Sequence, residues 1–209
     1  MLNYKNQVDW AQRYRPKCIE DLVLPPSIKQ RLTKMRDDNA GSSLLLHGSA
    51  GTGKTTVASL INPENTYKIN CSMRNGIKDI RELEKFAAYS LFGETRVMLL
   101  DEADALTLEA QTALRGLIED LSACNIIILT ANYPNQFIEP LRSRLYEIDF
   151  GVLSGNQAMK IAMQDRVREI LANEGIVNYD DNVVRTIIDQ RFPDMRRILK
   201  DLQYQFLIS

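Results

Sequence analysis

The most chemically informative stretch of the sequence is a glycine-rich segment that ends in a lysine and a threonine. It reads Gly48-Ser49-Ala50-Gly51-Thr52-Gly53-Lys54-Thr55 and fits the pattern G-x-x-x-x-G-K-[ST]. Glycines let backbone N–H groups turn toward phosphate oxygens, because they reach positive φ and allow close approach. Lys54 is then expected to bind the β- and γ-phosphates, and Thr55 to offer its hydroxyl to Mg²⁺. The alternative is an ordinary glycine-rich turn, which the apolar run before it and the helical pattern after it disfavour.

A second group of polar residues follows apolar runs farther along the chain. The run Val97–Leu100 ends at Asp101 and Glu102, and the carboxyl ends of strands carry the ligand groups of open α/β sheets. Asp101 is expected to hold Mg²⁺ directly or through water, and Glu102 to orient and polarise an attacking water. Asn132 follows another apolar run and is expected within reach of the γ-phosphate, although an asparagine that caps a turn is the alternative. The pattern favours a site of nucleotide hydrolysis over a solvated acidic loop.

Five short segments are predicted strands, and their patterns predict their order in one sheet. Leu44–Leu46, Val97–Leu100 and Ile126–Leu129 are continuous apolar runs, typical of parallel strands covered on both faces. Tyr146–Phe150 and Thr66–Asn70 alternate apolar with polar residues and are expected at the two edges. The helices predicted between the strands are Lys54–Ile61, Ile77–Tyr89 and Thr107–Leu121. These elements predict a doubly wound α/β unit with a five-stranded parallel sheet.

Outside the sheet, the sequence has the spacing of helices. Apolar residues recur at helical spacing over 157–173, 181–191 and 195–207, after a boundary at 151–156. We therefore expect two domains, an α/β core over residues 1–151 and a small three-helix lid over 152–209. Before the glycine-rich segment, Ser27 is the predicted N-cap of a further helix that carries Ile28 and Leu32.

Composition limits the class of protein. Of 209 residues, 44% are apolar and 25% are charged, which is typical of a globular chain. No apolar run of roughly 18 residues and no secretory pattern is present, so we expect a cytoplasmic protein without a membrane partner. Three separated cysteines without a C-x-x-C motif predict buried thiols and no disulfide or zinc site. The net charge of −1 predicts that any DNA contact comes from a local basic surface.

Taken together, these segments resemble the clamp-loader branch of the AAA+ ATPases, that is, replication factor C small subunits and their phage counterparts. Trp10–Pro16 looks like the W-x-x-K-Y-R-P box of that family, with Arg13 in place of lysine, and His47–Thr56 matches its P-loop. Residues 101–115 match its D-E-A-D-x-x-T-x-x-A-Q-x-A-L-R run. Two later segments are similar to its L-x-S-R-C and G-D-M-R-R segments, namely Leu141–Leu145 and Asp194–Arg197.

The resemblance implies an ATPase that uses ATP and Mg²⁺, assembles with other clamp-loader subunits, opens a sliding clamp and loads it on primer-template DNA. By the same resemblance, Asn132 corresponds to sensor 1 and Arg196 to a lid arginine over the phosphates. Arg144 corresponds to an arginine finger that acts on a neighbouring subunit, with a surface position beside an edge strand as the alternative. The residues expected at the nucleotide are Tyr14, Arg15, Pro16, Val23, Gly48, Ser49, Ala50, Gly51, Thr52, Gly53, Lys54, Thr55 and Thr56. For the segment around Tyr14, packing on the protein core is an equal alternative.

The resemblance also suggests where DNA binds. In the family the segment L-N-A-S-D-x-R-G-I and the next helix touch the DNA backbone; here Met73 and Asn75 replace its aspartate and arginine. Lys78 and Arg81 share one helix face and are expected to contact phosphates without reading sequence. A solvated helix face is the alternative.

Three other functions stay open from the sequence. They are another AAA+ role, such as helicase loading or branch migration, a P-loop kinase of small molecules, and a structural subunit that binds nucleotide without hydrolysing it. Clamp-loader subunits normally continue into a helical collar, which we expect to be absent from this chain.

Overall fold

The computed structural model of the chain describes residues 9–38, 43–88, 96–120, 125–151 and 155–207. Contacts divide these residues into two compact units. The sheet unit takes its residues from 26–49 and 54–151, and the helical unit from the segments up to 25, 50–53 and beyond 151. The predicted division of the chain into domains at residues 151 and 152 stays a prediction.

The sheet unit contains five strands that pair in parallel in the order β2-β3-β4-β1-β5. The three apolar runs form the buried strands β1, β3 and β4, while the alternating segments form the edge strands β2 and β5. The predicted edges and the doubly wound α/β fold are therefore confirmed. The strands are β1 Leu44–His47, β2 Thr66–Asn70, β3 Arg96–Asp101, β4 Asn125–Ala131 and β5 Tyr146–Asp149.

Helices connect the strands of the sheet unit, as a parallel sheet requires. The connecting helices are α3 Lys54–Ile61, α4 Ile77–Ala88, α5 Leu108–Asp120 and the short α6 Glu139–Arg142, and α2 Pro26–Asp38 precedes the first strand. Thr107 caps α5, because its Oγ1 accepts a hydrogen bond from the N–H of Ala110 at 3.2 Å. The prediction for Ser27 is wrong: α2 begins one residue earlier, at Pro26, whose fixed φ and missing N–H suit the first helical position. Tyr89 and Leu121, at the predicted ends of two helices, lie outside the described residues.

One hydrophobic cluster of the sheet unit lies between the buried strands and the helices α4 and α5. Leu100 and Leu129 of the sheet pack in one cluster with Leu83 of α4 and Leu114 of α5, all fully buried. Burial of a leucine side chain contributes about 1.5–3 kcal/mol. This cluster packs α4 and α5 against the buried strands.

The helical unit contains α1 Trp10–Arg13, α7 Gln157–Asn173, α8 Asp181–Arg191 and α9 Met195–Leu207, and the last three match the predicted helices. Trp10 is fully buried in its core, and its backbone N–H donates to Gln203 Oε1 at 2.9 Å. The hydroxyl of Tyr14 donates to Glu174 Oε1 at 2.5 Å. These contacts favour the packing role of the Trp10–Pro16 segment.

Two expectations from composition can be compared with the described residues. Cys71 is buried, and its burial raises the pKa of the thiol to about 12. Cys18 is exposed, so the prediction of a buried thiol is wrong there; Cys124 lies outside the described residues. No helix in the described part of the chain is long and apolar enough to cross a membrane.

Candidate functional site

The glycine-rich segment joins the end of β1 to the start of α3, and its glycines adopt backbone conformations that other residues rarely reach. The φ angles of Gly48, Gly51 and Gly53 are 131°, 75° and 95°. A Cβ at Gly48 would lie 2.7 Å from the backbone N of Gly151, and one at Gly51 would lie 1.8 Å from Asp194 Oδ1. The backbone conformation therefore favours glycine at all three positions, and contact with backbone atoms leaves no room for a side chain at Gly48.

Lys54 opens α3, and its ammonium points back toward the end of β1. Nζ donates to the carbonyl oxygens of Gly48 and Ser49, each at 2.7 Å, and to Asn132 Oδ1 at 3.1 Å. The residue is only 8% exposed, so these acceptors compensate for the lost hydration of a buried charge. The structure thus brings together Lys54 and Asn132, which are 78 residues apart.

Asn132 itself is held in place by an aspartate that follows β3. Asp104 Oδ2 accepts hydrogen bonds from the backbone N–H groups of Asn132 and Tyr133, both at 3.1 Å. The loop after β4 is therefore tied to the loop after β3. This connection positions the Asn132 amide beside Lys54.

Asp101 lies at the end of β3 and meets side chains from three other elements. Its Oδ1 accepts from the hydroxyls of Thr55 and Thr130, both at 2.6 Å, and its Oδ2 contacts Lys68 Nζ at 2.7 Å. Burial raises the pKa of the Asp101 carboxyl, but the hydrogen bonds from Lys68, Thr130 and Thr55 outweigh it, so the pKa lies below its ordinary value. Asp101 is therefore held as a carboxylate next to the Thr55 hydroxyl.

The donor set at Thr55 and Asp101 fits Mg²⁺. This ion prefers oxygen ligands and is usually held by one or two carboxylates together with phosphate oxygens and water. Among the described residues, no group of three or more His, Cys, Asp or Glu side chains could form a metal site from protein ligands alone. One hydroxyl and one carboxylate suit a cation whose other ligands are phosphate oxygens and water.

Glu102 has the one non-glycine backbone with positive φ in the described part of the chain, at φ 56° and ψ 44°. Its N–H donates to Thr130 Oγ1 at 3.1 Å, and its exposed carboxylate accepts from the Ser72 hydroxyl. A left-handed conformation costs an L-residue about 1–2 kcal/mol, and such outliers are concentrated at functional sites. The backbone here turns the Glu102 side chain away from the path of β3.

The predicted DNA-binding residues Lys78 and Arg81 are both exposed on α4. The loop before them and the start of α5 line an open groove, formed by residues 73–79 and 107–109. Arg74 in this loop is paired with Asp79, at 2.8 Å, and with Glu82. The neighbouring acids thus engage Arg74, while Lys78 and Arg81 extend into solvent.

The two arginines before β5 have different surroundings. Arg142 makes a two-pronged contact with Glu147, at 2.9 and 3.0 Å. Arg144 is more exposed, and it contacts Glu119 of α5 at 2.5 Å and the carbonyl of Pro140 at 2.6 Å. β5 runs parallel to β1, and Arg144 lies two residues before β5. It is therefore near the amino ends of these strands, whereas the glycine-rich segment follows the carboxyl end of β1. Arg144 is therefore not brought to the Lys54 side of its own sheet.

The remaining predicted residues belong to the helical unit. Arg196 is exposed in the first turn of α9, where Asp194 Oδ1 accepts from the N–H of Arg197 at 3.0 Å. Val23 and Tyr14 pack against the core of this unit. Contact of these residues, and of Arg15 and Pro16, with a nucleotide stays a prediction.

Several residues of the site were missed by sequence reasoning. They supply contacts to predicted residues and are Lys68, Ser72, Asp104, Glu119 and Thr130. A hydroxyl within the otherwise apolar end of β4 was a usable signal for Thr130. Asp104 belongs to the D-E-A-D run, although no role was assigned to it. For Lys68, Ser72 and Glu119, the sequence has no signal that separates them from surface polar residues.

Comparison with known proteins identifies the family. Residues 44–152 match the family described as "ATPase family associated with various cellular activities (AAA)". The replication factor C small subunits of Natronomonas pharaonis and Halobacterium salinarum are 36% and 37% identical to this chain over 204 residues. The replication factor C small subunit 2 of Pyrobaculum islandicum is 35% identical over 209 residues. These matches cover 93–95% of this chain but only 61–63% of the relatives, so the chain spans less than two thirds of their length.

Solved structures agree on the fold. The RuvB Holliday junction branch migration motor of Thermotoga maritima superposes with a TM-score of 0.69 at 19% identity, over 90% of this chain and 63% of that one. A DNA polymerase III gamma subunit-related protein of the same organism has a TM-score of 0.55 at 12% identity, over 86% of this chain and 73% of its own. The phosphate-binding loop, the acidic end of β3 and these similarities agree: the chain belongs to the AAA family of ATPases, in which it resembles replication factor C small subunits.

Proposed function

We propose that this chain is an ATP-dependent clamp-loader subunit, which helps to open a sliding clamp and to load it on primer-template DNA. The observation that carries the proposal is the convergence of Lys54, Thr55, Asp101 and Asn132 near the carboxyl ends of the strands. Thr55 Oγ1 donates to Asp101 Oδ1 at 2.6 Å, and Lys54 Nζ donates to Asn132 Oδ1 at 3.1 Å. The similarity to replication factor C small subunits supports the more specific role.

The residues divide the chemistry between them. When bound, Mg-ATP supplies an electrophilic γ-phosphate and a dication that offsets its charge. Lys54 supplies a fixed positive charge for the phosphates, and Thr55 and Asp101 supply oxygen ligands for the cation. Glu102 orients the attacking water and accepts a proton from it. The Asn132 amide holds that water or the γ-phosphate. Because Asp104 and Thr130 position these groups beforehand, little reorganisation is needed at the moment of reaction.

Glu102 distinguishes the proposal from a subunit that binds nucleotide without hydrolysing it. A purely structural subunit would not need a carboxylate on a backbone that carries a conformational penalty. A kinase of small molecules would need a pocket for its acceptor. The groove beside α4 and α5 is open and does not enclose an acceptor; Lys78 lines it as an exposed cation, together with the acids Asp79 and Glu109.

The position of Arg144 supports work in an oligomer. β1 spans four residues, or roughly 13 Å, and separates the start of β5 from the phosphate-binding loop. Arg144 is exposed, so we propose that it acts on the nucleotide of a neighbouring subunit after release of Glu119. Arg196 is proposed as the lid arginine on the basis of the family resemblance.

The proposal can be tested by measuring binding of a fluorescent ATP analogue and ATP turnover, with and without primer-template DNA and the cognate clamp. Lys54→Ala should abolish both nucleotide binding and turnover. Lys85→Ala removes an exposed lysine of α4 and is the matched control, with binding expected to stay as in the wild type. DNA and clamp together should raise the turnover of the wild-type protein. ATP turnover that neither DNA nor clamp changes would contradict clamp loading, and absence of ATP binding would contradict the proposal as a whole.

A further inference from the structure

Lys68 of the edge strand β2 contacts the carboxylate proposed to serve Mg²⁺. Its Nζ lies 2.7 Å from Asp101 Oδ2, with 43% of the lysine side chain and 11% of the aspartate side chain exposed. Lys68 pairs with Leu99 across the sheet, and Asp101 is two residues farther along the same face of β3. The flexible lysine stem therefore reaches diagonally to the strand end.

The contact takes up the oxygen of Asp101 that accepts neither hydroxyl hydrogen bond. Oδ1 already accepts two hydroxyl hydrogen bonds, from Thr55 and Thr130 at 2.6 Å, which use both of its lone pairs. Oδ2 is the oxygen left for a positive charge, and Lys68 contacts it. A divalent cation at Asp101 and the ammonium of Lys68 would therefore meet the same oxygen.

We infer that Lys68 is a positioning residue that substitutes for the divalent cation at Asp101 and competes with it. Before nucleotide binds, its ammonium neutralises the buried carboxylate and holds it against Thr55. When the cation enters with the nucleotide, like-charge repulsion drives Lys68 toward solvent, which its partly exposed and flexible side chain permits. Lys68 thus raises the concentration of free divalent cation that nucleotide binding requires. This inference rests on the proposed Mg-ATP site.

The competition can be measured directly by binding of Mn²⁺, followed by electron paramagnetic resonance in the presence of a non-hydrolysable ATP analogue. Lys68→Met keeps the apolar stem but removes the charge, and it should lower the Kd for nucleotide-dependent Mn²⁺ binding by at least about fivefold, as expected for loss of one like charge at a partly exposed site. Lys68→Arg keeps the charge and should stay within about twofold of the wild type. Lys85→Met is the matched control on α4 and should leave the Kd unchanged. Lys68→Gln provides a second neutral variant should Lys68→Met fail to fold.

The outcomes separate the inference from the proposed function. If the wild type and the neutral variants bind Mn²⁺ with the same nucleotide-dependent Kd, the competing role of Lys68 is refuted while the Mg-ATP site stands. If the neutral variants bind Mn²⁺ more weakly, Lys68 supports the cation instead of competing, and the inference is equally refuted. If no protein binds Mn²⁺ in a nucleotide-dependent manner, the Mg-ATP site is refuted and the inference with it.

Discussion

Replacing Glu102 by glutamine keeps the size of the side chain but removes its ability to take a proton from water. Glu102 contacts Ser72 and Thr130, whereas the contacts of Lys54 with Gly48, Ser49 and Asn132 do not involve it. Nucleotide binding should therefore stay close to that of the wild type. Hydrolysis should fall at least about 100-fold, which corresponds to about 2.7 kcal/mol in the barrier.

The backbone of Glu102 allows a second, independent measurement. At φ 56° the residue is in the left-handed region, which costs an L-residue about 1–2 kcal/mol, while glycine avoids this cost and loses about 0.5–1 kcal/mol in conformational entropy. Glu102→Gly should therefore be more stable than Glu102→Ala by about 1 kcal/mol in the free energy of unfolding. Both variants should lose hydrolysis, so stability and activity should change independently.

The assays are phosphate release, equilibrium binding of a fluorescent ATP analogue, and urea unfolding of each variant. Glu84→Gln changes an exposed glutamate of α4 and serves as the matched control, with wild-type values expected in all three assays. Unchanged turnover in Glu102→Gln would remove Glu102 from the mechanism. A loss of nucleotide binding as large as the loss of turnover would show that Glu102 supports binding and not water activation. Equal stability of the glycine and alanine variants would refute the argument from backbone strain.

Three further predictions concern DNA, the neighbouring subunit and pH. The double variant Lys78→Ala and Arg81→Ala should weaken DNA binding equally for all sequences and lower the salt slope of the affinity by about one to two units; fluorescence anisotropy measures both, and a loss limited to some sequences would contradict backbone contact. Arg144→Ala should reduce turnover by about 10³- to 10⁵-fold with little change in nucleotide binding, and mixing this chain with Lys54→Ala chains should restore part of the activity; confirmed mixed oligomers without recovery would contradict action on a neighbour. The guanidinium of Arg142 donates hydrogen bonds to Glu147 and holds the pKa of that carboxyl below its ordinary value of 4.5. The pair therefore stabilises the fold above pH 4.5, and this stabilisation is lost as the pH falls through the lowered pKa. Glu147→Gln should therefore cost about 0.5–1 kcal/mol in the free energy of unfolding at pH 7 and progressively less in acid, as urea unfolding at several pH values would show.

The two edge strands and the three inner strands were predictable because the pattern of apolar residues in a strand depends on how far its two faces are buried, whereas the order of the inner strands was not predicted. Continuous apolar runs marked the buried strands, and the alternation in Thr66–Asn70 and Tyr146–Asp149 marked the edges. The phosphate-binding loop was predictable for a related reason, since its glycines, Lys54 and Thr55 are adjacent in sequence. Patterns of this kind depend on neighbours along the chain, and a single sequence contains them.

For the segment around Trp10, the sequence left two roles open, and the structure favours one of them. Its composition allowed packing on the core or contact with a nucleotide base, because tryptophan and tyrosine suit both. The helical core that surrounds Trp10 comes from α7, α8 and α9, more than 140 residues away. Only the folded chain shows that this core has room for the indole ring.

The sequence by itself determined the fold class, the phosphate-binding loop and the acidic end of β3, because these follow from periodicity and short spacing. The tertiary structure decided which polar groups meet there. Lys68, Thr130 and Asp101 come from three different strands, and their contacts at 2.6 and 2.7 Å depend on strand order and register. Ser72 reaches Glu102 and Glu119 reaches Arg144 for the same reason. The sequence does not show whether a polar side chain at a strand end contacts water or a carboxylate. Its partner depends on how elements distant along the chain pack together.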